Sequence, residues 1–305
     1  MQIDYAAITH PGRVRKNNED AFLLSALNGE EPLINQALRP LPVGEQGFLA
    51  AVADGMGGAA AGEVASREGL AAVSLHLFGH WGRHTGDDQV EAQLLKAIVL
   101  AVEEASQAIL RYSDDDRTAR GMGSTLTAAL IWNGHAYVAQ VGDSRAYMFR
   151  QGQLQQVTVD QTLVNELVMS GTLTAEEART HPQRNMITQA LGSPQHIVVV
   201  VYKVALRRGD RLLLCSDGLH GEVDDARIQS IMAMGHSPRK TLEGLLEAAL
   251  EAGARDNVTG VILGLNDPML PLPKSEEKIE ITKPLLPTVP RGWMRKLVRM
   301  LGGGA

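Results

Sequence analysis

Residues 47–58, reading GFLAAVADGMGG, constrain this chain more than any other stretch. An apolar run (Phe48, Leu49, Ala50, Ala51, Val52, Ala53) stops at Asp54, and Gly55, Gly57 and Gly58 follow. Such a run bounded by glycines reads as a buried strand, and residues 59–78 beyond it read as a helix. The strand thus delivers a carboxylate to a tight turn at a helix start, where exposed backbone groups can meet a cation or a phosphate. Taken alone, the stretch also suits a plain turn in which Asp54 caps the helix.

The same pattern returns along the chain. The apolar run 136–142 ends at Asp143, the run 212–216 ends at Asp217-Gly218, and Asp256-Asn257 opens the run from Val258. One aspartate of this kind is ordinary turn chemistry, and four independent turns are the plain alternative. Four in one chain nevertheless point to carboxylates gathered at one rim. Gathered carboxylates raise one another's pKa, so cations are needed to neutralise them. All-oxygen donors favour Mg²⁺ or Mn²⁺. Zinc fits less well, because the chain has neither an HExxH motif nor a Cys/His cluster. Two such ions about 3.5–4 Å apart can clamp a phosphoryl oxygen and lower the pKa of a water toward ~7. Arg15, four residues before Glu19, is the candidate to hold the other phosphoryl oxygens, since guanidinium matches phosphate in a bidentate way. An ordinary surface arginine reads the same.

Competing nucleophiles fare poorly. A cysteine phosphatase needs Arg six residues after its Cys, and Gly221 holds that position after Cys215. Cys215 lies in an apolar strand and reads as a buried structural thiol. As the single cysteine it excludes an intramolecular disulfide and suits a reducing compartment. No signal-like or membrane-spanning run is present, so a cytoplasmic protein is expected. A net charge of −6 makes no whole-chain case for nucleic-acid binding.

The remaining segments set the fold class. Strands are expected at 3–9 and 21–24, with a long proline-containing loop over 28–46. Val90, Leu94, Ile98, Val102 and Ile109 recur at helical spacing. Asn133-Gly134 and Gln151-Gly152 mark hairpins. Two short helices, 160–170 and 174–180, interrupt a run of strands, so 160–192 reads as a surface flap. Strands at 197–204 and 211–216, helices at 226–234 and 238–252, and a strand at 258–265 follow. This order implies an α+β fold of antiparallel sheets covered by helices. Residues 1–267 form the expected domain. Residues 268–290 hold six of the 13 prolines and have linker composition. Residues 291–305 read as a short basic amphipathic tail around Trp293 and Leu297, suited to a membrane surface or a partner protein, or simply frayed.

The segments GRVRKNNED (12–20), VADGMGGAAAGEVAS (52–66), GMGSTLTAAL (121–130), VGDSRAY (141–147), THPQRNMITQALG (180–192), LLLCSDGL (212–219) and ARDNVTGVIL (254–263) carry a family resemblance. Together they resemble the metal-dependent protein serine/threonine phosphatases, the PP2C or PPM family, in its bacterial form. The resemblance implies a four-layer α-β-β-α sandwich with two Mn²⁺ or Mg²⁺ ions in a cleft at one end. It implies that Asp54 bridges both metals, that the Gly55 carbonyl ligates one, and that Asp217 and Asp256 ligate the other. Glu19 and Asp20 act through bound waters, Asn257 supports Asp256, and Asp143 with Asp217 holds a weaker third metal. Arg15 matches the phosphate-binding arginine.

The implied activity is hydrolysis of phosphoserine and phosphothreonine on proteins by a hydroxide bridging two metals, opposing a bacterial Ser/Thr kinase and carried out by a monomer. Two departures stand out. Met56 occupies the position of a histidine general acid in animal members, which leaves that proton donor open. Gln161-Thr162 follow Asp160 where many bacterial members read His-Ser. The alternative is a pseudophosphatase that binds phosphoproteins or a kinase; such a chain would have lost Asp54, Asp217 or Asp256, and all three are present.

Overall fold

The computed structural model describes residues 2–27, 33–34, 43–44, 46–57, 61–81 and 90–282. The chain opens with strands β1 (Asp4–His10), β2 (Asp20–Ala26), β3 (Leu33–Ile34) and β4 (Phe48–Met56), followed by helices α1 (Ala61–His80) and α2 (Val90–Asp115). Next come β5 (Gly123–Ser124), β6 (Leu126–Trp132), β7 (His135–Val141), β8 (Arg145–Arg150) and β9 (Gln153–Gln156). The flap carries α3 (Leu163–Met169) and α4 (Ala175–Thr180). Then follow β10 (Val200–Ala205), β11 (Asp210–Cys215), α5 (Asp217–His220), α6 (Asp225–Ala233), α7 (Pro238–Ala252), β12 (Val258–Leu265) and β13 (Ile281–Thr282).

Two antiparallel sheets result, in the orders β1-β12-β11-β8-β9 and β13-β10-β7-β6-β4-β2-β3. Alternation along the strands sorts their side chains into three cores. Phe48, Ala50 and Val52 of β4 join Phe22 and Leu24 of β2, and Leu212, Leu214, Val261 and Leu263 of the facing sheet, to fill the space between the sheets. Leu49 and Ala51 point the other way, against Leu70, Leu77, Leu94 and Ile98 of α1 and α2. On the opposite outer face, Leu213 and Ile262 pack on Ile228, Leu242 and Leu245 of α6 and α7. The layers are therefore α-β-β-α, as the resemblance implies. The flap helices are capped by side chains: Thr162 accepts from the Asn165 N–H, so the first begins at Leu163 rather than at 160, and Thr174 and Glu177 form a capping box.

Two local readings are corrected. Asp54 does not cap a helix, because β4 continues through Gly55 and Met56, which pair with β5, and α1 begins only at Ala61. Residues 268–282, with the composition of a linker, lie along the body. Leu270 and Ile279 are buried in the inter-sheet core, and β13 extends the second sheet by pairing with β10. Glu277 meets Arg207 at 2.7 Å, and Arg208 donates to the carbonyls of Pro268 and Pro271. Proline lacks a donor but keeps its carbonyl, so a strap held by side chains and its own carbonyls tolerates proline where a central strand does not. Residues 283–305, including the expected tail, lie outside the described residues, as do Gly58 and most of the 28–46 loop.

A truncation series should separate strap from tail. Ending the chain after Asp267 should lower the thermal midpoint by roughly 10 °C, since the inter-sheet core loses two buried aliphatic side chains. Ending it after Thr282 keeps the strap and should retain the midpoint. Equal melting of the two truncations would show that the strap is dispensable.

Candidate active site

Strand parity builds the site. The inter-sheet core ends at one edge of both sheets, and on seven of the strands the next residue of the same parity is polar. Asp20 lies two before Phe22, Asp54 two after Val52, Thr127 two before Ala129, Gln140 two after Val138, Ser144 two before Ala146, Ser216 two after Leu214 and Thr259 two before Val261. Asp20 and Asp54 are register partners on β2 and β4. A polar rim therefore caps an aliphatic core, with acids on one sheet facing hydroxyls on the other.

The hydroxyls hold the acids in place. The Ser216 hydroxyl donates to Asp20 Oδ2 at 2.7 Å, and Ser216 Oγ in turn accepts from the Thr259 N–H. The Asp54 N–H donates to Thr125 Oγ1, and the Asp54 carbonyl accepts from the Thr125 N–H and the Ser124 hydroxyl. Thr125 Oγ1 also pairs with Ser144 Oγ at 2.8 Å. Gln140 Nε2 donates to the carbonyls of Gly142 and Ser144 on either side of Asp143. None of Thr125, Gln140, Ser144, Ser216 and Thr259 is singled out by motif spacing. Their signal is a polar residue that continues the apolar period of a buried strand.

Asn257 clamps the N-terminal loop to the site. Its Oδ1 accepts the Glu19 N–H at 2.8 Å, and its Nδ2 donates to the carbonyls of Pro11 and Asn17. The Glu19 carbonyl then accepts the Gly55 N–H. Gly55 is required by close approach: a Cβ there would sit 2.0 Å from the Gly62 carbonyl oxygen and 2.6 Å from that of Glu19. The Glu19 carboxyl in turn rests on Gly62, where an added Cβ would meet its Cδ at 2.7 Å. The N-terminal turn of α1, the Asp54-Gly55 pair and Glu19 thus touch without intervening side chains.

Asp20, Asp143, Asp217 and Asp256 all stand near enough to Asp54 to act on its charge, although among the described residues no three acids are drawn in as a closed set of metal ligands. Asp54 is raised well above the usual carboxylate range, first by burial and then by Asp20, Asp217, Asp143 and Asp256. Burial likewise pushes Asp20 up to about 8 despite hydrogen bonds from Ser216 and Thr259. Asp143 is pushed up to about 8 by burial and by Asp217, and Asp217 is raised by burial and by Asp256. Asp20 Oδ1 and Asp217 Oδ1 are buried and accept no hydrogen bond. Buried oxygens left bare cost free energy unless something occupies them, and hard divalent cations suit this all-oxygen set. The residues present fit such ions.

Arg15 Nη2 meets Asp256 Oδ2 at 2.6 Å, with the two side chains 53% and 39% exposed. An ion pair that open to solvent is worth little, so the guanidinium can leave it for a better anion. Cys215 is fully buried and its thiol is pushed up by burial, which removes it as a nucleophile. The flap is anchored at its first residue: Arg145 forks onto Asp160, with Nη2 to Oδ2 at 2.7 Å. Gln161 accepts the Gly142 N–H at 2.7 Å. The departure at Gln161 therefore supports the turn that carries Asp143.

The acid cluster carries a pH signature. Asp20 and Asp143 titrate near 8 in the fold against about 3.9 in an unfolded chain. Between those values the folded state binds more protons, so stability is full below about pH 4 and is lost as pH rises toward 8. In EDTA the thermal midpoint should fall from pH 5 to pH 8, and the rise on adding Mn²⁺ should grow over the same interval. A midpoint in EDTA that climbs with pH would contradict this account.

A family model described as protein phosphatase 2C matches residues 40–252. The chain belongs to the protein phosphatase 2C family. Serine/threonine protein phosphatase PstP of Mycobacterium tuberculosis is 37% identical over 267 residues, covering 88% of this chain and 46% of that protein. The chain thus spans about half the length of that relative. Serine/threonine phosphatase stp of Listeria innocua is 32% identical over 261 residues, covering 85% of this chain and 94% of the other. Among solved structures, the PstP catalytic domain in complex with two manganese ions matches with a TM-score of 0.69 at 35% identity, covering 87% of this chain and 99% of that one. The two antiparallel sheets with helices outside are thus the protein phosphatase 2C architecture. No helix among the described residues is long and apolar enough to cross a membrane.

Proposed function

We propose that this protein phosphatase 2C member hydrolyses phosphoserine and phosphothreonine on proteins in a divalent-metal-dependent reaction. The observation that carries the reading is the buried acid rim with its bare oxygens on Asp20 and Asp217. The manganese-bound PstP catalytic domain supports it. Asp20, Asp54, the Gly55 carbonyl, Asp217 and Asp256 would hold two Mn²⁺ or Mg²⁺ ions, and Asp143 with Asp217 a weaker third. Two such cations, when bound, lower the pKa of a water toward ~7 and supply a nucleophile at neutral pH.

The chain's own groups do the rest. Asp54 and Asp217 carry the negative charge at the centre of the rim, and the hydroxyl and amide contacts of Thr125, Ser216 and Asn257 keep that geometry before substrate arrives. Glu19 acts from beside Gly62. Arg15 turns from Asp256 to the phosphoryl oxygens, which reward its fork geometry. The site cleft is solvent-accessible at Arg15 and Asp256, which suits a side chain presented by a protein surface. Substrates would be phosphoproteins of a bacterial Ser/Thr kinase, met by a monomer in the cytoplasm. Residues 291–305 would dock a partner or a membrane surface. A phosphoprotein-binding role without turnover is disfavoured because no acid of the rim is missing.

The deciding assay is hydrolysis of a phosphothreonine peptide and of p-nitrophenyl phosphate with Mn²⁺, Mg²⁺ or EDTA. Metal-supported turnover abolished by EDTA is expected, and turnover indifferent to EDTA would reject the mechanism. Within that assay, Arg15→Ala should raise KM about tenfold with kcat largely kept, because it removes a charged hydrogen bond to bound phosphate. A KM equal to the wild type's would deny Arg15 this role.

A further inference from the structure

His220 ties two of the acid-bearing turns together. It lies three residues after Asp217, at the end of the single-turn helix α5, and its Nε2 meets the Asp143 carbonyl oxygen at 3.0 Å. A carbonyl can only accept, so Nε2 carries the proton in this contact. His220 is partly buried, and α5 leaves it little freedom: Gly221 closes the turn onto the Asp217 carbonyl at 2.7 Å. A Cβ at Gly221 would stand 2.7 Å from that same oxygen.

The turn it reaches is itself tightly held. Gly142 adopts a positive φ of 95°, and a Cβ there would meet the Thr125 side chain at 2.7 Å. The Gln161 and Gln140 contacts fasten Gly142 from two further sides. Asp217 stands close enough to Asp143 for its charge to act on that carboxyl, so two like charges meet at this junction. They sit just beyond paired strands, with Arg145 of β8 opposite Cys215 of β11. The His220 bond crosses that junction from the Asp217 side to the Asp143 side.

We propose that His220 is a positioning residue that sets the separation of Asp143 and Asp217, and through it the affinity for the more weakly held divalent cation. This rests on the metal-centre reading above. Partners of this kind, one step behind the ligands, commonly change metal affinity by about 10–100-fold when removed. The donor, rather than the ring, is what the geometry uses.

The test compares His220→Gln, which keeps an amide donor at similar reach, with His220→Met, which keeps length without a donor. Mn²⁺ binding to the full chain is measured by titration calorimetry, beside the Mn²⁺ dependence of phosphothreonine-peptide turnover and melting in EDTA. His220→Met should weaken the weaker-bound Mn²⁺ about tenfold or more and leave the tighter ions within about twofold, while His220→Gln stays within about threefold of wild type. If the Met variant does not fold, His220→Asn, too short to reach Asp143, takes its place with the same expectation. A Met or Asn variant that binds Mn²⁺ like wild type overturns the proposal, as does a Gln variant that fails equally. A wild-type chain that binds no Mn²⁺ overturns the metal-centre reading as well.

Discussion

Asp54→Asn should lower kcat by at least about 10³-fold, close to 4 kcal/mol of transition-state stabilisation, while leaving the fold intact. Asp54 is the residue on which the other acids converge: Asp20, Asp217, Asp143 and Asp256 all act on it. Its backbone is fixed on both sides by Thr125, and these contacts survive the substitution because they use main-chain atoms. Asparagine keeps the size and one oxygen but removes the charge that a bridging ligand needs. The same change relieves repulsion in the acid cluster, so the melting temperature in EDTA should hold or rise. Loss of turnover together with undiminished stability marks a functional residue. If kcat stays within tenfold of wild type, Asp54 is not the centre of the chemistry.

Arg150→Met should be the most destabilising single change outside the site, at about 3–5 kcal/mol. Arg150 and Asp210 form a buried bidentate pair, with Nε to Oδ1 at 2.8 Å and Nη2 to Oδ2 at 2.7 Å, their side chains 3% and 1% exposed. Removing the guanidinium leaves Asp210 buried with the Arg207 N–H on one oxygen, and also frees the Ala205 carbonyl. Glu277 of the strap, 4.0 Å from Arg150, loses a neighbour too. The double variant Arg150→Met, Asp210→Leu removes the stranded charge and should recover a large part of the loss. The pair sits at the ends of β8 and β11 remote from Asp143 and Asp217, about 23 Å away for seven residues of extended chain. The kcat of the folded fraction should therefore stay unchanged. Denaturant unfolding of the single and double variants checks this, and equal stabilities for wild type and Arg150→Met would refute it.

These two predictions rest on different kinds of information. Asp54, Asp143, Asp217 and Asp256 were visible in the chain because each ends or opens an apolar run beside a turn, and that pattern is local. The flap was visible because two short helical segments interrupt a series of strands, and that change of pattern is also local. Asp54 as a helix cap was the local alternative. It failed because β4 keeps pairing, with β5, through Gly55 and Met56, a contact between residues far apart in sequence. The linker reading of 268–282 failed for a related reason. Proline-rich composition reports how little a segment can bury by itself, whereas Leu270 and Ile279 are buried by surface that the rest of the chain supplies.

By itself the sequence determined the period of each strand, the acids at their ends and the succession of strands and helices, because side-chain alternation and turn chemistry act over a few residues. Only the tertiary structure decided which ends meet. Arg15 finds Asp256 across 241 positions, Ser216 finds Asp20 across 196, and Asn257 clamps a loop some 240 residues away. The need for glycine at 55 comes from the carbonyl of Gly62, not from the backbone angle of Gly55 itself. Those contacts follow from two sheets closing on a common core, and the aliphatic burial that closes them has no direction along the chain.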